Sequence, residues 1–591
     1  MAFLLAVISL SLSFSEKTDE NVEFAVISIR GIQERGKRMK IQSVLQEVLC
    51  IAACAAVSSV VAQTVEKPIP PIHTEGGQLV GKVLTSGVKA WLGVPYAKPP
   101  VNDLRWQAPQ PMFWKGVWNA DRTMPECLQV QRPHNTNQYF GEEPASENCL
   151  YMNIWAPANA TAGAKLPVIV YIYGGAFAIG SSGMPLYGGE HVAQHGAIFV
   201  NFNYRLGILG FMAHPELTKE QGGHSGDYAF LDQNAALKWV HNNIAKFGGD
   251  PSQVLLMGQS AGAGSVTEQV FSPLSKGLFR AAVMSSACTW AAEGPIHTTT
   301  LAQGEELGLQ IQKLLHAANL DEMRQVPSDR ILALQGTASD HSHAVMSGPL
   351  IDGYFMPKTQ LEILQAHEIN DVPIITSSNG DEMDSAQSPL TKARTVAEYK
   401  EIAQKMYGDK ADEFLALYPV SSDADVRVMA HRAAEDAGLQ ESSRHCAQIQ
   451  AEYDKSPAYI DLFTHRQPFT PGVKIADLDS ATVGAYHTSD IPYFFGTLDA
   501  FNMFRSTRVW RPWDRELSED MMATLIAMAK TGSPATDAVK WPAWSATDEQ
   551  RVVFGDKIAV EKLYTKGMDW LAGHPAARVA TPAASAPRAH D

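Results

Sequence analysis

Val254-Leu-Leu-Met-Gly-Gln-Ser-Ala-Gly262 is the stretch whose reading decides the fold. Its four leading apolar residues, Val254 to Met257, read as a short buried strand. They run straight into Gly258-Gln259-Ser260-Ala261-Gly262 and then into a helical pattern. A strand that reverses sharply into a helix strains the backbone of its central residue. Side chains two positions to either side would collide there, which accounts for the two glycines. The reading is a serine hydroxyl held at the tip of a turn, with a helix N-terminus beneath it. In 591 residues with 44 glycines the pentapeptide alone carries little. The strand before it, the helix after it and a glycine-rich loop upstream carry the argument.

The bulk properties bound the rest. With 45% hydrophobic residues there is chain enough for one large core. The net charge of −15 is spread rather than blocked, which argues against nucleic acid or an anionic membrane surface as partner. No apolar run is long enough to span a bilayer. Residues 2–14 are apolar but lack the preceding positive charge of a leader. Lys37-Arg38-Met39-Lys40 followed by an apolar run ending Val60-Val61-Ala62 has that charge and a cleavage pattern. Met39 is therefore read as the true start and 39–62 as a secretory signal, after a non-native or disordered extension, 1–38. A structural helix and a lipid anchor at Cys54, in Ile51-Ala-Ala-Cys54, are the alternatives. The Ala/Pro-rich tail, 576–591, reads as disordered.

Secretion makes a disulfide expected between Cys127 and Cys149, which flank a polar, turn-rich segment. Cys288 and Cys446, in apolar contexts, read as buried free thiols. Residues 76–94 read as an antiparallel hairpin. Leu166-Pro-Val-Ile-Val-Tyr-Ile-Tyr173, Ala197–Arg205, Ala281–Ser286 and Val372–Ser377 read as strands alternating with helices. That alternation predicts a mostly parallel, doubly wound α/β sheet. Residues 291–345 are helical and polar and read as an excursion capping the site. Arg205 is expected to pair with Asp232.

The longer stretch Phe247-Gly-Gly-Asp-Pro-Ser-Gln-Val-Leu-Leu-Met-Gly-Gln-Ser-Ala-Gly262 resembles the nucleophile signature of the type-B carboxylesterases, a family that includes cholinesterases and non-catalytic neuroligin-type adhesion proteins. The resemblance spans about residues 75–570 and implies one α/β-hydrolase domain, placed at 63–575. It implies Ser260 as nucleophile and the chain order Ser, Glu, His. Glu147-Asn-Cys-Leu-Tyr-Met-Asn153 is similar to the family's second signature, with Asn148 where Asp is usual, and Arg105 is expected to pair with Glu147. In Gly174-Gly175-Ala176-Phe177 the resemblance assigns an oxyanion hole to the N–H groups of Gly175, Ala176 and Ala261. Ala176 stands for the usual third glycine, and its methyl crowds the acyl side.

A serine needs an imidazole to take its proton, and the imidazole needs a carboxylate to hold it. Asn379-Gly-Asp-Glu-Met383, after the strand from Val372, maps onto the family pattern N-x-D-E-G and implies Glu382, with Asp381 and Asp384 as alternatives. Of 18 histidines, the chain order leaves His431, His445, His465, His487, His574 and His590. His487, in Gly484-Ala-Tyr-His-Thr-Ser-Asp490, resembles the family's histidine loop. No metal or organic cofactor is implied. The resulting expectation is a secreted or periplasmic serine ester hydrolase acting on small esters. A lipase, lactonase or amidase is the alternative, and a catalytically dead adhesion module the less favoured one. Many family members carry Glu where this chain has Gln259. Between Cys127 and Cys149 there are Tyr139 and Phe140 but no Trp to cradle a cation. Both features point to neutral rather than choline-type esters.

Overall fold

In the computed structural model the described residues are 69–131, 135–138, 144–288, 290, 299–336, 345, 347–382 and 388–576. The extension 1–38, the leader 39–62 with Cys54, and the tail 576–591 apart from Ala576 lie outside them, as do Tyr139, Phe140, Asp384 and His590.

Eleven strands form the main sheet: β1 (Lys82–Val83), β2 (Lys89–Pro95), β3 (Tyr151–Ala156), β4 (Leu166–Ile172), β5 (Ile198–Phe202), β6 (Gly249–Gln259), β7 (Ala281–Ser285), β8 (Ile374–Asn379), β9 (Ala458–Phe463), β10 (Gln550–Phe554) and β11 (Ile558–Lys562). Their spatial order is 11-10-9-8-7-6-4-5-3-2-1. From β5 to β10 each neighbouring pair is parallel. β3, β2 and β1 at one edge and β11 at the other are antiparallel additions. The central strands carry apolar runs because both faces are covered: Val168 to Ile172 and Val254 to Met257 are all 0% exposed.

The strand order reverses between β4 and β6, since β5 lies outside β4 while β7 continues beyond β6. A reversal leaves a crevice at the carboxyl ends of the two strands, because their outgoing chains depart to opposite sides. The glycine loop follows β4 there, and Ser260 follows β6. The helices around this crevice are α1 (Tyr228–Asn243), α2 (Ala261–Phe271), α3 (Leu301–Leu315), α4 (Asp423–Asp436), α5 (Leu439–Tyr453) and α6 (Pro512–Thr531). α2 packs on β6, β7 and β4, α6 on β4 and β6, and α5 on β8 and β9. The described part of the excursion is helical, as read, with α3 its longest element.

Two expected ion pairs are present. Arg205 Nε and Nη2 donate to Asp232 at 2.8 and 2.7 Å, both side chains fully enclosed. Arg105 meets Glu147 through two bonds of 2.8 and 2.6 Å and also donates to the Val326 carbonyl at 2.7 Å, which ties the excursion to the body. Asn148 accepts from the Tyr151 hydroxyl at 2.9 Å.

Two expectations are corrected. The hairpin over 76–94 is only partly one: β1 and β2 pair antiparallel, but Gln78–Val80 pairs with Ile72–His73 and Val117–Asn119 in a separate sheet. The chain changes sheets at Gly81, where a Cβ would sit 2.2 Å from the Ala90 carbonyl. The second correction concerns the thiols. Cys127 and Cys149 are bridged, as expected, but so are Cys288 and Cys446, with Cα atoms 6.3 Å apart. Apolar surroundings do not discriminate a free thiol from a buried bridge. The partners are 158 residues apart, one just after β7 and the other on α5, and only the fold brings them together.

A loop of that length makes the second bridge the more consequential, at about 5 kcal/mol on the chain-entropy model. Non-reducing digestion is expected to yield both linked peptides, and Cys446→Ala to lower the unfolding midpoint by more than Cys149→Ala does. Free thiols at 288 and 446 in protein folded under oxidising conditions would refute the pairing.

Candidate active site

Ser260 has φ 57° and ψ −128°, a left-handed backbone that an L-residue holds only when its surroundings compel it. Its N–H donates to the Ser285 carbonyl at 2.8 Å, and its carbonyl accepts from Gly264, opening α2. The flanking glycines are required by contact. A Cβ at Gly258 would lie 2.1 Å from the Gly262 carbonyl, and one at Gly262 would lie 2.1 Å from that of Ile172. The turn thus lifts the serine side chain into the crevice.

The loop after β4 approaches as closely. A Cβ at Gly174 would meet the Gln259 carbonyl at 2.4 Å. Gly175, Ala176 and Phe177 all have positive φ, at 114°, 54° and 58°. The run closes as a tight turn, with the Ala178 and Ile179 N–H groups both donating to the Gly175 carbonyl at 3.0 Å. Among the described residues the N–H groups of Gly175, Ala176 and Ala261 donate to no protein acceptor. Ala176 carries its left-handed backbone without the freedom of glycine. Phe177 lines the cavity and packs edge-on against Phe211 and Phe230.

Glu382 lies just past β8 and is fully buried, and His487 is 17% exposed at its side chain. His487 Nδ1 and Glu382 Oε2 are 2.5 Å apart. Glu382 Oε1 accepts from the Asn379 N–H at 2.8 Å, so both carboxylate oxygens are directed. With Nδ1 donating to the carboxylate, Nε2 is the ring's acceptor, and it receives the Gln259 amide at 3.2 Å. Gln259 is the residue before Ser260, so this contact brings the imidazole to the serine turn. Glu382 and His487 are thus in contact, and Gln259 joins the imidazole to the turn that carries Ser260.

The alternatives are placed elsewhere. Asp381 Oδ2 accepts from the Ala485 N–H at 2.9 Å while the Asp381 N–H donates to the Ala485 carbonyl at 3.0 Å. That residue clamps the acid loop to the histidine loop. His431 on α4 reaches only the other oxygen of Asp381, at 3.7 Å. His465 is enclosed with Asp514 at 2.8 Å. His445 is on α5, and His574 Nδ1 contacts the Trp570 carbonyl.

Three supporting contacts carried no sequence signal. Glu435 on α4 accepts from the Glu382 N–H at 2.8 Å, fixing the backbone that presents the carboxylate. Gln259 stands out in the sequence for its lack of charge, whereas its contact with His487 is visible only in the fold. Asp490, fully buried three positions after His487, accepts from Asn379 Nδ2 at 3.2 Å. Burial, and after it the Glu382 charge, pushes the Asp490 carboxyl up to about 6.

The carboxylesterase family matches residues 68–569. A fumonisin B1 esterase of Sphingopyxis macrogoltabida is 34% identical over 507 residues, covering 84% of this chain and 88% of that protein. A para-nitrobenzyl esterase of Bacillus subtilis (strain 168) is 29% identical, with 83% and 96% covered. The solved structure of a thermophilic PNB esterase matches with a TM-score of 0.66 at 29% identity, covering 85% of this chain and 99% of that one.

The Asp490 carboxyl gives a pH dependence of known sign. Folded, it keeps its proton to about pH 6, whereas the ordinary value is 3.8. Its contribution to stability is complete below pH 3.8 and is lost as the pH rises through 6. Asp490→Asn retains an acceptor for Asn379 and cannot ionise. Its unfolding midpoint is expected to gain on the wild type between pH 4.5 and 7.5, and an unchanged difference would contradict the assignment.

Proposed function

The chain belongs to the carboxylesterase family and is a serine carboxylic-ester hydrolase, and we propose that it works through an acyl-enzyme on Ser260, with His487 as base and Glu382 holding the imidazole. The observation that carries this is the 2.5 Å contact of His487 Nδ1 with a fully buried carboxylate, beside a serine held at a left-handed backbone. Ser260 Oγ attacks the ester carbonyl and its proton passes to His487 Nε2. The oxyanion that forms is taken by the N–H groups of Gly175, Ala176 and Ala261, whose fixed orientation costs nothing at the moment of reaction. Collapse breaks the C–O bond to the alcohol, which leaves with the proton from Nε2. Water, deprotonated by the same nitrogen, then releases the acid and restores Ser260.

Glu382 enforces the tautomer in which Nε2 can accept, and offsets the positive charge that the ring acquires. A carboxamide there keeps the shape and loses both effects. The buried apolar runs Val168–Ile172 of β4 and Val254–Met257 of β6 keep water out from below, so these charges act in a medium of low polarisability.

The two disulfides support export to an oxidising compartment. Together with the leader pattern at 39–62, they support a secreted or periplasmic protein whose mature part is the 63–575 domain. Among the described residues no helix is long and apolar enough to cross a membrane. The cavity of about 620 Å³ beside Ser260 is mainly apolar, and its neighbour Gln259 is uncharged, which supports neutral esters as the substrates at this end of the site.

A fluorophosphonate is expected to label the protein once, at Ser260, with Ser260→Ala abolishing both labelling and turnover and Glu382→Gln reducing kcat by about 10⁴-fold. Labelling that survives Ser260→Ala would sink the nucleophile. Separately, a neutral ester is expected to show a higher kcat/KM than a quaternary-ammonium ester of matched size, and Gln259→Glu to narrow the gap. A wild type that already prefers the cationic ester would remove Gln259 as the determinant.

A further inference from the structure

The cavity beside Ser260 holds about 620 Å³ and is apolar along most of its wall. Ser260 caps α2, and Gly264 and Glu268 follow it at intervals of four, so the three share the helix face that the cavity meets. Gly264 has no side chain, and the space over it is taken by an aromatic ring. A Cβ at Gly264 would meet the tip of the Phe177 ring at 3.4 Å, an ordinary van der Waals contact. Four residues at the helical rise put this point about 6 Å along the axis from the nucleophile. The Phe177 ring thus stands in the cavity one helical turn beyond Ser260, with Glu268 on its far side. Leu350 belongs to that far end: its N–H is held by Asp227, a neighbour of Glu268, and α3 packs onto it at Gly304.

The ring is held in place from behind. The Phe177 backbone is left-handed, with φ 58°, and its carbonyl accepts from the Gly207 N–H at 2.7 Å. Its ring meets those of Phe211 and Phe230 edge-on, with centroids 5.2 and 5.9 Å away. Those two meet each other edge-on at 5.2 Å, which closes a triangle of contacts in the geometry that ring quadrupoles favour. Phe211 and Phe230 are themselves buried, and Phe355 stacks on Phe230 at 5.4 Å. Swinging Phe177 aside would break two of the three ring contacts at once. On the nucleophile's side of the ring, Ala176 adds a methyl group to the lining.

We propose that Phe177 sets the acyl-length limit of the enzyme: the acyl group of the ester occupies the space between Ser260 and the ring, and only a chain that displaces the ring reaches the space beyond. The class selected is esters of short acids. The proposal rests on the serine-hydrolase reading of Ser260 and adds to it which end of the substrate the cavity reads. Past the ring a longer chain would find apolar cover, with Leu350 and the α3 residues Leu307 and Ile311 in the lining. Each methylene covered there is worth about fourfold in kcat/KM, and the ring withholds that gain.

The test takes two series of esters, one of straight-chain acids from acetate to dodecanoate on a common alcohol, the other of acetate on straight-chain alcohols of the same range. The quantity read is kcat/KM relative to the shortest ester within each protein, so that a general loss of activity or of folded enzyme cancels. In the wild type the acyl series is expected to fall beyond a short chain. In Phe177→Ala it should instead keep rising past the wild-type limit, by about fourfold for each methylene, while the alcohol series keeps its wild-type profile. Phe177→Leu, which fills more of the site, should place the limit between the two. A wild type that already favours the longest acids would overturn the proposal without any variant. So would acyl profiles of both variants that match the wild type, or a change confined to the alcohol series. Failure of the Ser260 reading would show differently, as absent fluorophosphonate labelling with every ester inert.

Discussion

The left-handed backbone of Ser260 is the constraint on which the rest of the structure depends. It exists because three backbones are pressed together: the turn before the serine, the first turn of α2, and the end of β4. Gly258, Gly262 and Gly174 each stand where a Cβ would lie within 2.5 Å of a neighbouring carbonyl oxygen. Such strain costs on the order of 1–3 kcal/mol and persists only if packing over-determines it. Here the packing is the centre of the sheet. β4 and β6 are neighbours with every core residue covered, and α2 lies across both. The serine and the glycine loop are therefore positioned by the same close contact.

The acid and the histidine are held by a different logic, that of loops tied to each other. Asp381 and Ala485 exchange backbone and side-chain bonds, and a Cβ on Gly484 would run into the Asp381 carboxylate. Glu435 reaches from α4 to the Glu382 N–H. The chain spends buried carboxylates freely here, with Glu382, Glu435, Asp461 and Asp490 all at 2% exposure or less. Two of them respond by holding protons above the ordinary range: Asp461 through burial and then the Asp490 charge, Asp490 through burial and then Glu382. Of the four, Glu382 is the one whose side chain meets His487.

Much of this was legible in the sequence, for a reason specific to the fold. Ser260, Glu382 and His487 each sit in a short loop just after a strand or turn-rich segment, where local pattern and chemistry coincide. The glycine-rich turn after β4 was legible on the same terms. What could not be read were relations between distant segments. The Cys288–Cys446 bridge joins residues in apolar contexts that look alike whether bonded or free. Gln78–Val80 alternates like the hairpin beside it, and only the contact at Gly81 assigns it to another sheet. Glu268 has the spacing of a buried helix face, and that a cavity meets that face depends on where the excursion folds back. Asp490 looked like any loop acid until Asn379 and Glu382 surrounded it.

The contact between Gln259 and His487 has one more consequence. An amide carries a donor and an acceptor on one planar group, and the donor now faces Nε2. When that nitrogen takes a proton the two hydrogens oppose each other, and a half-turn of the amide would present its oxygen instead. A carboxylate in the same place could accept in one protonation state but never donate in the other. The side chain beside the serine is thus a two-position rotor that can satisfy the imidazole in both halves of a proton cycle without adding charge to either.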